Sequence, residues 1–97
     1  MAYLTIARIS GHPARLLDGY RETAGVMSGV GRDHGLIAHA AATTGEGLLV
    51  VNLWPSEAGS RSAAADPRRG EVVRRHGLDP SRLRYEHHDV AEYEIFT

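Results

Sequence analysis

Cysteine and lysine are both absent from the 97 residues. Without cysteine the chain has no disulfide framework, no thiolate nucleophile and no cysteine-ligated zinc or iron–sulfur centre. Without lysine it has no Schiff-base chemistry, no phosphate-loop lysine and no anchor for pyridoxal phosphate. The metal-ligand types that remain are His, Asp and Glu. An excess of charge is missing too: 11 basic residues, all Arg, face 12 acidic ones for a formal net charge of −1. No basic surplus draws the chain to phosphate backbones, so nucleic acid is not an expected partner. Long apolar runs are also lacking, since none approaches the roughly 18 residues of a membrane span. The opening MAYLTIARI carries neither the charged n-region nor the long h-region of a secretion signal. The expectation is a cytoplasmic protein with no membrane partner.

What is present reads as one ordinary globular domain over residues 1–97, with 42% hydrophobic and 24% charged residues, 11 Gly and 4 Pro. A chain this short buries only about 60 to 65% of the surface its unfolded form exposes, which leaves room for a single core. No internal repeat, linker or low-complexity tract interrupts it.

Tyr3 to Ile9 is β-prone and is closed by Ser10-Gly11, which predicts a strand and a turn. His12-Pro13 opens a helix whose apolar stripe is Leu16, Tyr20, Thr23 or Ala24, and Met27. The glycines at 25, 29 and 31 predict that this helix fails near Gly25 and passes into a loop ending at Gly35. Leu36 to Thr43 and Leu48 to Trp54 flank Thr44-Gly45-Glu46-Gly47, a hairpin pattern. The nearly continuous apolar run LLVVNLW implies a strand covered on both faces. Ser56 caps a second helical segment that breaks at Asp66-Pro67, presents Val72, Val73 and His76, and stops at Gly77. Leu83 to Phe96 completes the order β, α, β, β, α, β. The economical fold class is α+β: a ferredoxin-like βαββαβ domain with a four-stranded antiparallel sheet and helices on one face. The uncovered face predicts a homodimer through the sheet faces, and the tail AEYEIFT is a segment that could cross to the partner.

The run Val51-Asn52-Leu53-Trp54-Pro55-Ser56-Glu57 and the later Ala65-Asp66-Pro67-Arg68 resemble the antibiotic biosynthesis monooxygenase family of the dimeric α+β barrel superfamily. That family pairs a Trp-x-Ser-Glu turn with an Ala-Asp-Pro-Arg element at nearly this spacing. GLIAHAA also looks like the superfamily's Gly-Leu-x-x-His-x-Ala strand. The resemblance implies a dimeric α+β barrel and a choice among cofactor-free anthrone oxygenases, aromatic polyketide cyclases and haem-degrading enzymes. It further implies a pocket built on an Asn of the third strand and a nearby Trp. Trp54 matches, and Asn52 stands two positions nearer to it than in the family, a shift that keeps the strand face. The additional Trp of the haem-degrading branch is missing from the second helical segment.

Each candidate residue also has a purely structural explanation. Asn52 is an amide among apolar neighbours and needs hydrogen-bond partners, which a ligand or the core itself can supply. Trp54 either walls a pocket or plugs the end of the sheet. His39 lies mid-strand among Ala38, Ala40, Ala41 and Ala42, whose small volumes leave space for an imidazole acting as a base. Adjacent strand residues point to opposite faces, so His87 and His88 cannot share a metal ion and no metal site is expected there. Tyr85, His87 and Asp89 do share a face, and an acid beside a His fixes its tautomer. Tyr20 and Met27 are core-stripe residues that can also line a pocket for a small aromatic substrate. His76 reads as a helix-end cation, His12 as a cap, His34 as a loop residue, and Arg68, Arg69, Arg74 and Arg75 as a solvated face.

Two classes of function follow. One is an enzyme without cofactor, most directly a monooxygenase converting a phenolic or polyketide-like compound to a quinone, with cyclisation or isomerisation as the alternative. Its catalytic candidates are Asn52, Trp54, His39 and His87, and its substrate-binding candidates Tyr20, Met27 and Tyr85. The other is a non-catalytic or haem-binding dimeric barrel.

Overall fold

The computed structural model describes residues 1–76 and 79–97. Its elements are β1 (Tyr3–Ser10), α1 (Pro13–Asp33), β2 (Ala38–Thr43), β3 (Gly47–Trp54), α2 (Glu57–Ala64), α3 (Pro67–Arg75), a 3₁₀ turn (Pro80–Arg82) and β4 (Leu83–Asp89). The sheet is antiparallel throughout, in the order β2-β3-β1-β4. This is the expected ferredoxin-like α+β fold.

Helix starts follow the caps read from the sequence. The His12 imidazole accepts from the Arg15 amide, Ser56 Oγ from the Gly59 amide at 3.2 Å, and Asp66 Oδ1 from the Arg68 amide at 2.9 Å, with Pro13 and Pro67 opening α1 and α3. The break at Asp66 separates α2 from α3 as expected. The expected stop at Gly77 lies outside the described residues.

The end of α1 departs from expectation. The helix does not fail near Gly25 but runs for 21 residues to Asp33. Each interior glycine weakens a helix by about 1 kcal/mol, but tertiary packing outweighs that. Val30, 1% exposed, is driven into a cluster with Trp54 and Ala63, against which Tyr3 and Leu36 also pack. The stop is Gly35, at φ +83°, where the Gly35 amide donates to Arg32 O at 3.3 Å and the Leu36 amide to Gly31 O at 2.8 Å. That pair of bonds is a Schellman motif. It folds Leu36 back over Gly31, where an added Cβ would lie 2.7 Å from a Leu36 methyl. Gly31 is therefore a packing residue, and β2 starts at Ala38 rather than Leu36.

The other boundary correction concerns the C-terminus. β4 ends at Asp89 instead of reaching Phe96. One further rung, Val90 amide to Ala2 O at 2.9 Å, takes the ladder to the beginning of β1, beyond which no strand among the described residues pairs with the tail. Tyr93, Ile95 and Phe96 are left exposed, Phe96 at 85%.

Register assigns the two faces. Tyr3, Thr5, Ala7 and Ile9 lie beside Trp54, Asn52, Val50 and Leu48, and these with His39, Ala41, Tyr85 and His87 form the face under the helices. The opposite face carries half-buried Leu4, Ile6, Leu49, Val51 and Leu53 with Ala38, Ala40 and Ala42, edged by the Arg8–Glu86 ion pair at 3.1 Å. Among the described residues no helix packs over it. Among the described residues no helix is long and apolar enough to cross a membrane.

Candidate functional site

Three of the sequence candidates fall on a single row. His39 on β2 is opposite Asn52 on β3, Asn52 is opposite Thr5 on β1, and Thr5 is opposite His87 on β4. At the usual strand spacing of ~4.8 Å the row crosses the helix-facing side of the sheet in about 14 Å. Neighbouring strands place such side chains side by side, so the row is a continuous polar strip. An apolar row, Ala41, Val50 and Ala7, borders it on one side and an aromatic pair, Trp54 and Tyr3, on the other.

Each end of the row meets a different helix. At the β2 end the Tyr20 hydroxyl of α1 lies 3.0 Å from His39 Nδ1, with the two ring centroids 6.4 Å apart. Burial pushes the Tyr20 phenol above its ordinary pKa. At the β4 end a cavity of about 220 Å³ opens between the sheet and α2, lined by Tyr3, His87, Glu57, Ser60, Arg61 and Ala64. The His87 ring sits between two aromatics, its centroid 5.9 Å from that of Tyr3 and 6.3 Å from that of Tyr85. Arg61 Nη2 donates to Glu57 Oε1 at 2.7 Å, placing an exposed guanidinium at the cavity mouth.

Trp54 does not wall this cavity. It is 6% exposed in the cluster with Val30 and Ala63, and its indole Nε1 donates to Thr5 Oγ1 at 3.3 Å. Asn52 shares its face, half-buried at the middle of the row, and does not line the cavity either. Met27 is half-buried on α1. Tyr85 accepts from Arg69 Nη2 of α3 at 2.9 Å. Asp89 shares the face of His87, as the alternation requires, but no hydrogen bond among the described residues joins them. The neighbours of His87 are aromatic instead.

The helix-end residues are structural. His34 is no loop bystander: its Nε2 lies 3.0 Å from Asp66 Oδ2, while Arg68 Nη2 binds that same oxygen and Asp33, each at 2.9 Å. This cluster ties the end of α1 to the start of α3. Its hydrogen bonds, from Arg68 first and then His34, hold the Asp66 carboxyl well below the usual carboxylate range. Arg68 and Arg69 are thus anchored residues, whereas Arg74 and Arg75 pair with Glu71 on the solvated side as expected. His76 caps α3, with Nδ1 3.8 Å from Glu22 of α1. Among the described residues no group of three His, Asp or Glu side chains could hold a metal ion.

The sequence reading missed Tyr3, Thr5, Ser60 and Arg61. Tyr3 and Thr5 share the parity of the helix-facing positions of β1, a signal that becomes readable once register with Trp54 and Asn52 is known. Residues 58–65 are small apart from Arg61, and nothing in that composition says which residues of α2 turn toward the sheet.

No protein-family model matches the sequence, and no curated protein sequence is similar enough to count as a match. Solved structures do match. A dimeric ferredoxin-like protein of unknown function from Jannaschia sp. CCS1 aligns with TM-score 0.74 at 10% identity, over 93% of this chain and 100% of its own. The monooxygenase from the gene ActVA-Orf6 of Streptomyces coelicolor, solved with nanaomycin D, aligns with TM-score 0.69 at 18% identity, over 99% and 92%. SnoaB of Streptomyces nogalater, a cofactor-independent oxygenase, aligns with TM-score 0.61 at 16% identity, over 97% and 94%. The chain has the ferredoxin-like α+β fold of these structures and of further solved structures described as antibiotic biosynthesis monooxygenases.

Proposed function

We propose that the protein is a small enzyme that oxygenates a phenolic, aromatic polyketide-like compound to a quinone without a cofactor, working as a homodimer joined through its sheet faces. The observation that carries this reading is the cavity at the β4 end of the row. It joins a potential base, His87, to an aromatic wall, Tyr3, and a cation, Arg61. At about 220 Å³ it is below the usual 300 to 1,000 Å³ of ligand pockets. It suits one or two fused rings, with the remainder of the molecule lying at the open mouth. The fold shared with a cofactor-independent oxygenase and with a monooxygenase solved with nanaomycin D supports the same reading.

The chemistry asks little of the protein. His87 removes a proton from an activated methylene between hydroxylated rings, and Arg61 releases Glu57 to balance the resulting anion. The electron-rich carbon passes one electron to dioxygen, and the radical pair joins as a peroxide. His87 returns its proton to the outer peroxide oxygen, then takes the remaining C–H proton as the O–O bond breaks, and that proton joins the departing hydroxide as water, so that CH₂ and O₂ become C=O and H₂O. What the chain contributes is orientation and electrostatic balance.

The test is dioxygen uptake by the purified protein with a hydroxylated anthrone, comparing the native chain with His87→Gln. Loss of a positioned base lowers the rate by ~10² to 10⁴. Turnover without dioxygen consumption would replace oxygenation with cyclisation or isomerisation by the same base. Equal rates in both proteins would remove His87 from the reaction.

A further inference from the structure

His39 stands at the other end of the row from the cavity, and its hydrogen bond decides what it can do. Among the described residues the one partner of the Tyr20 hydroxyl is His39 Nδ1, at 3.0 Å. A neutral phenol is a better donor than acceptor, and among the described residues His39 Nδ1 is the acceptor its proton reaches. When Nδ1 of a neutral imidazole accepts, Nε2 must carry the ring proton.

We infer that Tyr20 fixes His39 as the Nε2–H tautomer, which makes His39 a hydrogen-bond donor rather than a base and, with Asn52 beside it, an acceptor-binding end of the polar row. Asn52 is the direct cross-strand neighbour of His39 on the same face, so its carboxamide can present N–H groups next to the imidazole N–H. Two donors side by side, at a position where His39 is open to solvent, suit an anionic oxygen on an aromatic ring, either a phenolate or an aryl carboxylate. Tyr20 is a positioning residue, acting through His39. The tautomer is a property of the free protein and stands whether or not His87 performs the chemistry proposed above. The ligand class deepens that reading, because it names the feature the far side of the substrate must carry.

The free protein is tested first, by two-bond ¹H–¹⁵N correlation on the ¹⁵N-labelled full chain at pH 8, with His39 assigned by loss of its signals in His39→Gln. The expected result is a bare Nδ1 and a protonated Nε2. Tyr20→Phe, which keeps the ring and removes the hydroxyl, should give a mixture of both tautomers. A native His39 protonated at Nδ1, or a tautomer unchanged by Tyr20→Phe, overturns the inference. The ligand class is probed with 4-nitrophenolate and with benzoate. Either anion should shift the His39 Nε2–H and Asn52 carboxamide signals. Glutamine offers an N–H at a similar reach, so His39→Gln should bind within about three-fold of native. His39→Leu should bind at least ~10-fold more weakly, the scale of one hydrogen bond to a charged group. Shifts confined to His87 and Arg61, or no binding of either anion at millimolar concentration, overturn the cradle. Neither result depends on turnover.

Discussion

Trp54 donates its indole N–H to the Thr5 hydroxyl across the β1–β3 ladder at 3.3 Å, and both side chains are less than a tenth exposed. The bond satisfies a donor that the core cannot otherwise accommodate and places the Thr5 hydroxyl in the polar row beneath a fully packed ring. Trp54 therefore supports the site by pinning the Tyr3–Trp54 end of the β1–β3 ladder, while Tyr3 beside it presents an aromatic surface to the cavity.

Thr5→Val keeps the shape of residue 5 and removes the acceptor, leaving a buried indole N–H unpaired. The expected destabilisation is about 1 to 3 kcal/mol. In Trp54→Phe no donor is left to strand, so adding Thr5→Val to that variant should cost clearly less. Urea unfolding of the four proteins of this cycle measures the difference, and strictly additive losses would mean that the hydrogen bond carries no coupling.

The glycines of α1 give opposite expectations. Gly25 has nothing within 4 Å of the position its Cβ would occupy, so Gly25→Ala should stabilise the protein by up to about 1 kcal/mol through helix propensity alone. Gly31→Ala would drive a methyl into Leu36 and should destabilise by ~1 to 3 kcal/mol despite the same gain in propensity. Thermal unfolding of both variants decides it. Stabilisation by both would show that Leu36 moves aside freely.

Much of this fold is legible in the sequence because caps, hairpin turns and strand alternation are local. His12-Pro13, Ser56 and Asp66-Pro67 start helices where their chemistry says they should. Where α1 ends is not local. Gly25 and Gly35 carry the same intrinsic preference, and only burial of Val30, five residues beyond the first and five before the second, chooses between them. The end of β4 depends likewise on where β1 begins, since a strand without a partner has no ladder to join. For the site, parity puts Asn52 with Trp54 and Tyr85 with His87, but parity within a strand says nothing about alignment between strands. The register that sets His39, Asn52, Thr5 and His87 in one row is fixed by turn geometry and by pairing across the sheet.

Acid should act first at the junction of α1 and α3. The Asp66 carboxyl is depressed in the folded protein by Arg68 and His34. A group with a depressed folded pKa contributes stability that is fully present above its unfolded pKa of about 3.9 and is lost as pH falls toward the folded value. The urea midpoint should therefore decline between about pH 5 and pH 2, and Asp66→Asn should flatten that part of the decline while lowering the midpoint at pH 7. An unchanged acid slope in Asp66→Asn would place the sensitivity at other carboxylates, of which Glu71 and Glu86 are also depressed by Arg neighbours.

The last expectation concerns the face opposite the row. Leu4, Ile6, Leu49, Val51 and Leu53 form an apolar field at the middle of the sheet, and soluble monomers rarely leave a large contiguous field of that kind in water. A second copy can cover it, since a two-fold axis lets the same patch meet itself and lets the Arg8–Glu86 pairs edge the joint. Val51 sits between Ile6 and Ala40 in register, near the centre, where a charge would be most fully desolvated. Val51→Asp should convert a dimer into a monomer at micromolar concentration in sedimentation velocity, with circular dichroism unchanged because residue 51 is only half-buried within one chain. The helix-facing row is on the other side of the sheet, so the His39 tautomer should persist in that monomer. A Val51→Asp protein that remains dimeric would move the interface to the exposed tail of Tyr93, Ile95 and Phe96, and deletion of residues 91–97 would then be the variant that separates the copies.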